Sequence, residues 1–178
     1  MASHEHPGYV GDRNEGWVEA IIEIPRGSRN KYEFDHKRGI FHLDRVLYSS
    51  MHYPTDYGFI GGTLARDGDP LDVLVVVEEP TFTGCYMRVR PIGTLTMIDL
   101  QGPDEKILAV PHDDPRFLGI RDLGNLEDHW LKEISAFFRT YKELQGVQTE
   151  VREWHTVDAA WKIIDECHTR YAQTVKAE

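Results

Sequence analysis

The sequence has only two cysteines, Cys85 and Cys167, far apart and in no metal-ligand spacing. That excludes a disulfide scaffold and a cysteine-built zinc site, and it suits a reducing compartment. Long apolar runs are missing too. The longest, residues 73–77, is five residues, far short of the roughly 20 that span a bilayer. Positive charge is scarce: 20 Lys and Arg stand against 30 Asp and Glu, a formal charge of −10. Such a surface repels nucleic acids and anionic membranes, whose binding depends on many Lys and Arg contacts to phosphate, so neither is an expected partner. The opening stretch MASHEHPGYVGDRNEG has no apolar core, so no secretory signal is expected. A cytoplasmic protein with a loose polar tail over residues 1–16 is the expectation. The His4/His6 pair in that tail could touch a metal, but solvation is the simpler reading.

What is present describes a globular chain. The 178 residues, 40% apolar and 28% charged, are enough for one domain with its own core, and no linker divides residues 1–178. From Trp17 to about Val110 short strands alternate with turn residues. In VEAIIEI, Val18, Ala20, Ile22 and Ile24 fall on one face and Glu19, Ile21 and Glu23 on the other; Pro25 and Gly27 end it. KYEFD, IFHLDRVLY, VLVVV, CYMRVR, IGTLTMI and KILAV follow, while MHYPTDYGF reads as a loop because of Pro54 and Gly58. Many short strands of this kind predict an antiparallel sheet closed into a small barrel. The last third changes period. Trp130, Ile134, Phe137, Phe138, Tyr141 and Leu144 form a helical stripe over 126–145, with Asn125 as N-cap and Gly146 as stop. A second stripe follows Thr156. The expected fold class is α+β, a barrel with flanking C-terminal helices.

The segment Asp67-Gly-Asp-Pro-Leu-Asp72 carries three carboxylates within six residues. Charges this close repel unless something positive sits among them, and oxygen-only donors suit hard ions such as Mg²⁺, Mn²⁺ or Ca²⁺. A solvated acidic turn is the plain reading. An EF-hand loop fails, because Leu71 and Asp72 fall where a ligand and a glycine are required and VLVVV is a poor exiting helix. A catalytic metal site is the third reading. Asp99, Asp104 and Glu105 form a second acidic group followed by Lys106. Lys31 and Glu33 share a strand face, Glu23 and Arg45 lie on other strands, and Tyr53 and Tyr57 sit in the loop-like stretch. Singly, each is explained by a surface pair or by packing, as is Tyr141 on its helix stripe; spacing alone leaves their convergence open.

Taken together, IIEIP, NKYE, LDR, YPTDYGFI, DGDPLDV, RPIG, MIDLQGPDEK, AVP and FFRTYKEL occur in an order that resembles the family I soluble inorganic pyrophosphatases, from about Val18 to Lys142. The resemblance implies a closed five-stranded, OB-like barrel and Mg²⁺-dependent hydrolysis of pyrophosphate to two phosphates. Several ions per site are implied, with Mn²⁺ or Zn²⁺ as substitutes and Ca²⁺ inhibitory. It implies that Asp67, Asp72, Asp99, Asp104 and Glu23 serve the metals, and that Lys31, Arg45, Tyr57, Lys106, Tyr141 and Lys142 meet phosphate. It implies Asp69 as general base, with Tyr57, Arg45 and Lys31 also catalytic and Glu33 and Tyr53 supporting. Homohexameric assembly is implied as well. Leu100 departs from the pattern, which commonly has a second acid there. The chemistry is consistent: a cage of acids expels pyrophosphate unless cations intervene, and water needs a metal to become a nucleophile near neutral pH. A phosphohydrolase acting on nucleotides lacks a Gly-rich fingerprint here, and a barrel for single-stranded nucleic acid lacks the basic groove.

Overall fold

The structure, a computed structural model, describes residues 7–176. In chain order its strands are β1 (Gly11–Asp12), β2 (Trp17–Ile24), β3 (Asn30–Asp35), β4 (Ile40–Val46), β5 (Asp56–Ile60), β6 (Leu71–Val75), β7 (Tyr86–Asp99), β8 (Gly102–Pro111) and β9 (Glu150–His155). The helices are α1 (Asp128–Thr140) and α2 (Val157–Val175). Strands β2, β5, β6, β8 and β7 pair in that order, and β7 pairs back onto β2, closing a five-stranded ring. β1 and β9 extend the sheet beyond the ring, and β3 and β4 form a separate two-stranded hairpin.

The ring is not wholly antiparallel, as the strand pattern led one to expect. β6 and β8 run parallel, with Asp72 opposite Lys106 and Val73 opposite Ile107. The reason is geometric: an odd number of strands in a closed ring cannot reverse direction at every junction, so one like-directed pair is unavoidable.

Alternating side chains divide the core in two. Leu71, Val73 and Val75 of β6 join Val18, Ala20 and Ile22 of β2 and the α2 residues Trp161 and Ile164. The intervening Leu74 and the next residue in that row, Val76, join Phe137 and Phe138 of α1. Burial on both faces explains why VLVVV shows no alternation. β2 is likewise covered on both sides, since Ile21 is buried along with Ile22. A bulge between Ile22 and Ile24 sends Ile24 into the α1 cluster, away from the face shared by Val18, Ala20 and Ile22.

Several other boundaries differ from expectation. DYGFI is a strand, β5, despite Gly58: this glycine lies against β2, where a Cβ would come within 1.9 Å of the Ile21 carbonyl oxygen. CYMRVR and IGTLTMI fuse into β7, which continues past Pro91 through a bulge. The first helix is shorter than its apolar stripe. It begins at Asp128 and ends at Thr140, while Asn125 closes a preceding 3-10 turn whose Asp122 cap bonds Gly124 N–H. Thr156 caps α2 as expected, accepting from Ala159 N–H. Residues 1–6, with His4 and His6, lie outside the described residues. The rest of the expected tail is not loose. Gly11 and Asp12 pair with Val18 and Trp17, Tyr9 stacks on His168 at 4.3 Å, and Arg13 pairs with Asp165.

Gly58→Ala forces β2 and β5 apart. It is expected to destabilise the fold by roughly 3 kcal/mol, a Tm fall on the order of 10 °C measured by thermal denaturation.

Candidate active site

All the sequence-selected site residues line one cavity of about 320 Å³. The ring supplies the acids. Asp67 and Asp69 stand on the β5–β6 loop, Asp72 on β6, and Asp99 and Asp104 flank the β7–β8 turn; Glu23 projects from β2. Gly68, with φ of 96°, takes the left-handed conformation that lets this acidic loop turn. The hairpin supplies Lys31, Glu33 and Arg45, while Tyr141 and Lys142 follow the end of α1.

Lys106 is the centre of the acid set. It is 2% exposed, and its Nζ lies 2.6 Å from Asp72 Oδ2, 3.1 Å from Asp104 Oδ2 and 3.1 Å from the Tyr57 hydroxyl. The parallel pairing makes this contact, because Asp72 and Lys106 are direct cross-strand partners. Tyr57 in turn donates to Asp72 Oδ2 at 2.6 Å. Burial alone would favour a neutral lysine, but Asp72, Tyr57 and Asp104 hold its pKa well above the ordinary value.

Three acids of the cavity are held above the ordinary carboxylate range. Burial raises Glu23 to about 8, although Phe34 N–H donates to it at 2.8 Å. Burial raises Asp104 to about 6 against the pull of Lys106, with Asp72 adding repulsion. Asp69 is raised by burial and then by Asp67 and Asp72. Among the described residues no three His, Cys, Asp or Glu side chains already converge into an ion cage. Lys106 fills the space between Asp72 and Asp104, and Asp69 is repelled by Asp67 and Asp72. The donor set nonetheless fits hard divalent cations: every acid in the cavity presents carboxylate oxygens, and the raised groups mark a charge deficit such ions would fill.

On the hairpin, Lys31 Nζ lies 3.0 Å from Glu33 and 3.2 Å from Asp44, and Arg45 Nε donates to Asp44 at 2.7 Å. Asp44 thus braces both cations, and its carboxyl is held below the usual range: burial opposes this, but Arg45 and Lys31 prevail. Sequence reasoning passed over Asp44, whose only signal is its place beside Arg45. It also passed over Gln145, which accepts from Arg45 Nη1 at 2.6 Å, and Phe34, His36 and Phe59, which wall one end of the cavity. Tyr53 is buried, its ring meeting Tyr57 edge-on at 5.6 Å and Phe137 at 4.8 Å. Leu100 is 81% exposed in the β7–β8 turn and does not line the cavity.

A family model described as inorganic pyrophosphatase matches residues 20–172 of this chain, which include every one of these positions. The chain belongs to the inorganic pyrophosphatase family. Its members are enzymes, hydrolases of pyrophosphate. The inorganic pyrophosphatase of Geobacillus stearothermophilus is 56% identical over 154 residues, covering 86% of this chain and 93% of that protein. That of Methanosarcina acetivorans is 50% identical over 166 residues, covering 93% and 99%. The crystal structure of inorganic pyrophosphatase from Thermus thermophilus superposes with a TM-score of 0.88 at 43% identity, over 92% of this chain and 95% of that one.

Glu23 gives a stability prediction for the metal-free chain. Its folded pKa of about 8 exceeds the model-compound value of 4.5, so between those pH values the folded state binds the extra proton. The stability that proton confers is present at low pH and is lost as pH rises towards 8. Glu23→Gln keeps an acceptor for Phe34 N–H and removes the titration. In EDTA its Tm should match the parent near pH 4.5 and exceed it by several degrees at pH 8–9, read by calorimetry.

Proposed function

We propose that this pyrophosphatase-family chain hydrolyses inorganic pyrophosphate to two orthophosphates with Mg²⁺, by direct attack of water and without a covalent phosphoenzyme. The observation that carries this reading is a single cavity lined both by carboxylates, most of them from the ring, and by Lys31, Arg45, Tyr141 and Lys142. Like unit charges 4 Å apart repel by about 4 kcal/mol at an effective dielectric near 20, so the acid side alone would reject pyrophosphate. Bound Mg²⁺ supplies the charge neutralisation and the acidification of water that the side chains lack. Asp67, Asp72, Asp99, Asp104 and Glu23 would hold the ions, with Mn²⁺ or Zn²⁺ as substitutes and Ca²⁺ as an inhibitor.

The chain's own groups do the rest. Asp69, raised by burial and by its acidic neighbours, is better suited than an ordinary aspartate to take a proton from the attacking water near neutral pH. Lys106 stays protonated and donates to the Tyr57 hydroxyl; both line the cavity, where they would stabilise charge developing on the phosphoryl oxygens. Lys31, Arg45, Tyr141 and Lys142 position the departing phosphate and stabilise its charge, the main task in phosphoryl transfer. Glu33 holds Lys31, and Tyr53 packs behind Tyr57. Among the described residues the cavity lining contains no Ser, Thr or Cys, and its histidine, His36, packs edge-on against Phe34 and Phe59. One catalytic domain in a cytoplasmic homohexamer, without nucleic-acid or membrane partners, belongs to the same reading. Exposed Phe82 and Tyr86 offer apolar surface to a second copy. No helix among the described residues is long and apolar enough to cross a membrane.

Phosphate release should be rapid from pyrophosphate with Mg²⁺, negligible from ATP, and suppressed by Ca²⁺. Equal rates on ATP would redirect the reading towards a nucleotide phosphohydrolase. Asp72→Asn should cost at least a hundredfold in kcat/KM, since even groups one step removed from a metal are worth about ten- to a hundredfold; it should also lower Tm by taking the nearest carboxylate from Lys106, while circular dichroism at 25 °C still reads a folded chain. Acid-quenched single turnovers with labelled pyrophosphate should leave no label on protein; a labelled side chain would refute the direct displacement.

A further inference from the structure

Arg45 is held at two nitrogens before any anion arrives. Its Nε donates to Asp44, its neighbour on β4, and its Nη1 donates to Gln145 Oε1 at 2.6 Å from across 100 residues of sequence. Gln145 sits on a turn closed on itself. The Lys142 carbonyl accepts from both Gln145 N–H at 3.0 Å and Val147 N–H at 3.2 Å, and Gly146 N–H donates to Glu143 at 2.9 Å. Gly146 has φ of 73°, a conformation that favours glycine. The same turn carries Lys142, whose Nζ lies 3.7 Å from Asp99 on the ring. It therefore touches the hairpin through Gln145 and the ring through Lys142. Because the hairpin shares no strand pairing with the larger sheet, side-chain ties such as this one fix where Arg45 stands.

We propose that Gln145 is a positioning residue for pyrophosphate binding, clamping the Arg45 guanidinium so that its remaining N–H donors face the cavity. The proposal rests on the reading of Arg45 as a phosphate contact. A neutral amide suits the task. Asp44 already offsets part of the guanidinium charge, and a second carboxylate would offset more, whereas an amide oxygen fixes direction and leaves the charge for the anion. Fixing a long side chain in advance removes an ordering cost that the anion would otherwise meet on binding.

The full-length chain with Mg²⁺ tests this through Gln145→Ala, Gln145→Met (which keeps volume but removes the acceptor), Arg45→Ala and the Arg45→Ala/Gln145→Ala double variant. Pyrophosphate kinetics are measured alongside calorimetric binding of imidodiphosphate, a non-hydrolysed analogue. Both Gln145 variants should lose roughly tenfold in kcat/KM, mostly through KM, and bind the analogue weaker by a similar factor, as expected for one hydrogen bond to a charged group. Their Tm should stay at the parent value. In the Arg45→Ala background, Gln145→Ala should cost nothing further. Gln145 variants within twofold of the parent, beside an impaired Arg45→Ala, overturn the proposal and leave the pyrophosphatase reading intact. So does an undiminished Gln145→Ala loss in the Arg45→Ala background. An Arg45→Ala enzyme as active as the parent overturns the role of Arg45 and the clamp together.

Discussion

A buried lysine between two aspartates organises this molecule. Lys106 is a cation buried within the acid set, and its partners Asp72, Asp104 and Tyr57 come from three different strands. Removing either side of such a pair leaves an uncompensated charge in a low-dielectric setting, which is strongly destabilising. The interaction exists because β6 and β8 run side by side in the same direction, placing residue 72 against residue 106. The Asp72–Lys106 contact thus falls on the like-directed pair that an odd-membered ring must contain.

Charge explains why a chain of net −10 is built to hold an anion. Seven acids meet in one cavity, where burial and mutual repulsion raise Glu23, Asp69 and Asp104. Acids in that condition favour protons or metal ions. The cations that face the same space stand apart on the hairpin and the turn after α1, each restrained by a partner: Lys31 by Glu33 and Asp44, Arg45 by Asp44 and Gln145, Lys142 by Asp99.

Much of this was legible in the sequence wherever side-chain period or motif carried it. The strand-then-helix order follows from periods of two and 3.6, and the convergence of fourteen separated residues on one cavity follows from a resemblance spread over most of the chain. What stayed hidden has physical causes. β5 was masked because Gly58 is there for close approach to Ile21, not for a turn. The bulge before Ile24 broke an apparently regular alternation. β9, in an exposed and highly charged stretch, has little apolar pattern to reveal it. Asp44 and Gln145 act through single side-chain bonds to distant or adjacent cations, and no periodicity encodes that.

The split between the ring and the β3–β4 hairpin has one more implication. Most of the cavity's acids come from the ring and its loops, while Lys31 and Arg45 stand on a hairpin that shares no backbone ladder with it. On the proposed reading, metal and phosphate would be mortar between separate pieces of masonry, completing a joint that no strand pairing closes. Ligand-linked stiffening should accordingly be concentrated in the hairpin, with the ring, already sealed by its own hydrogen bonds, little altered.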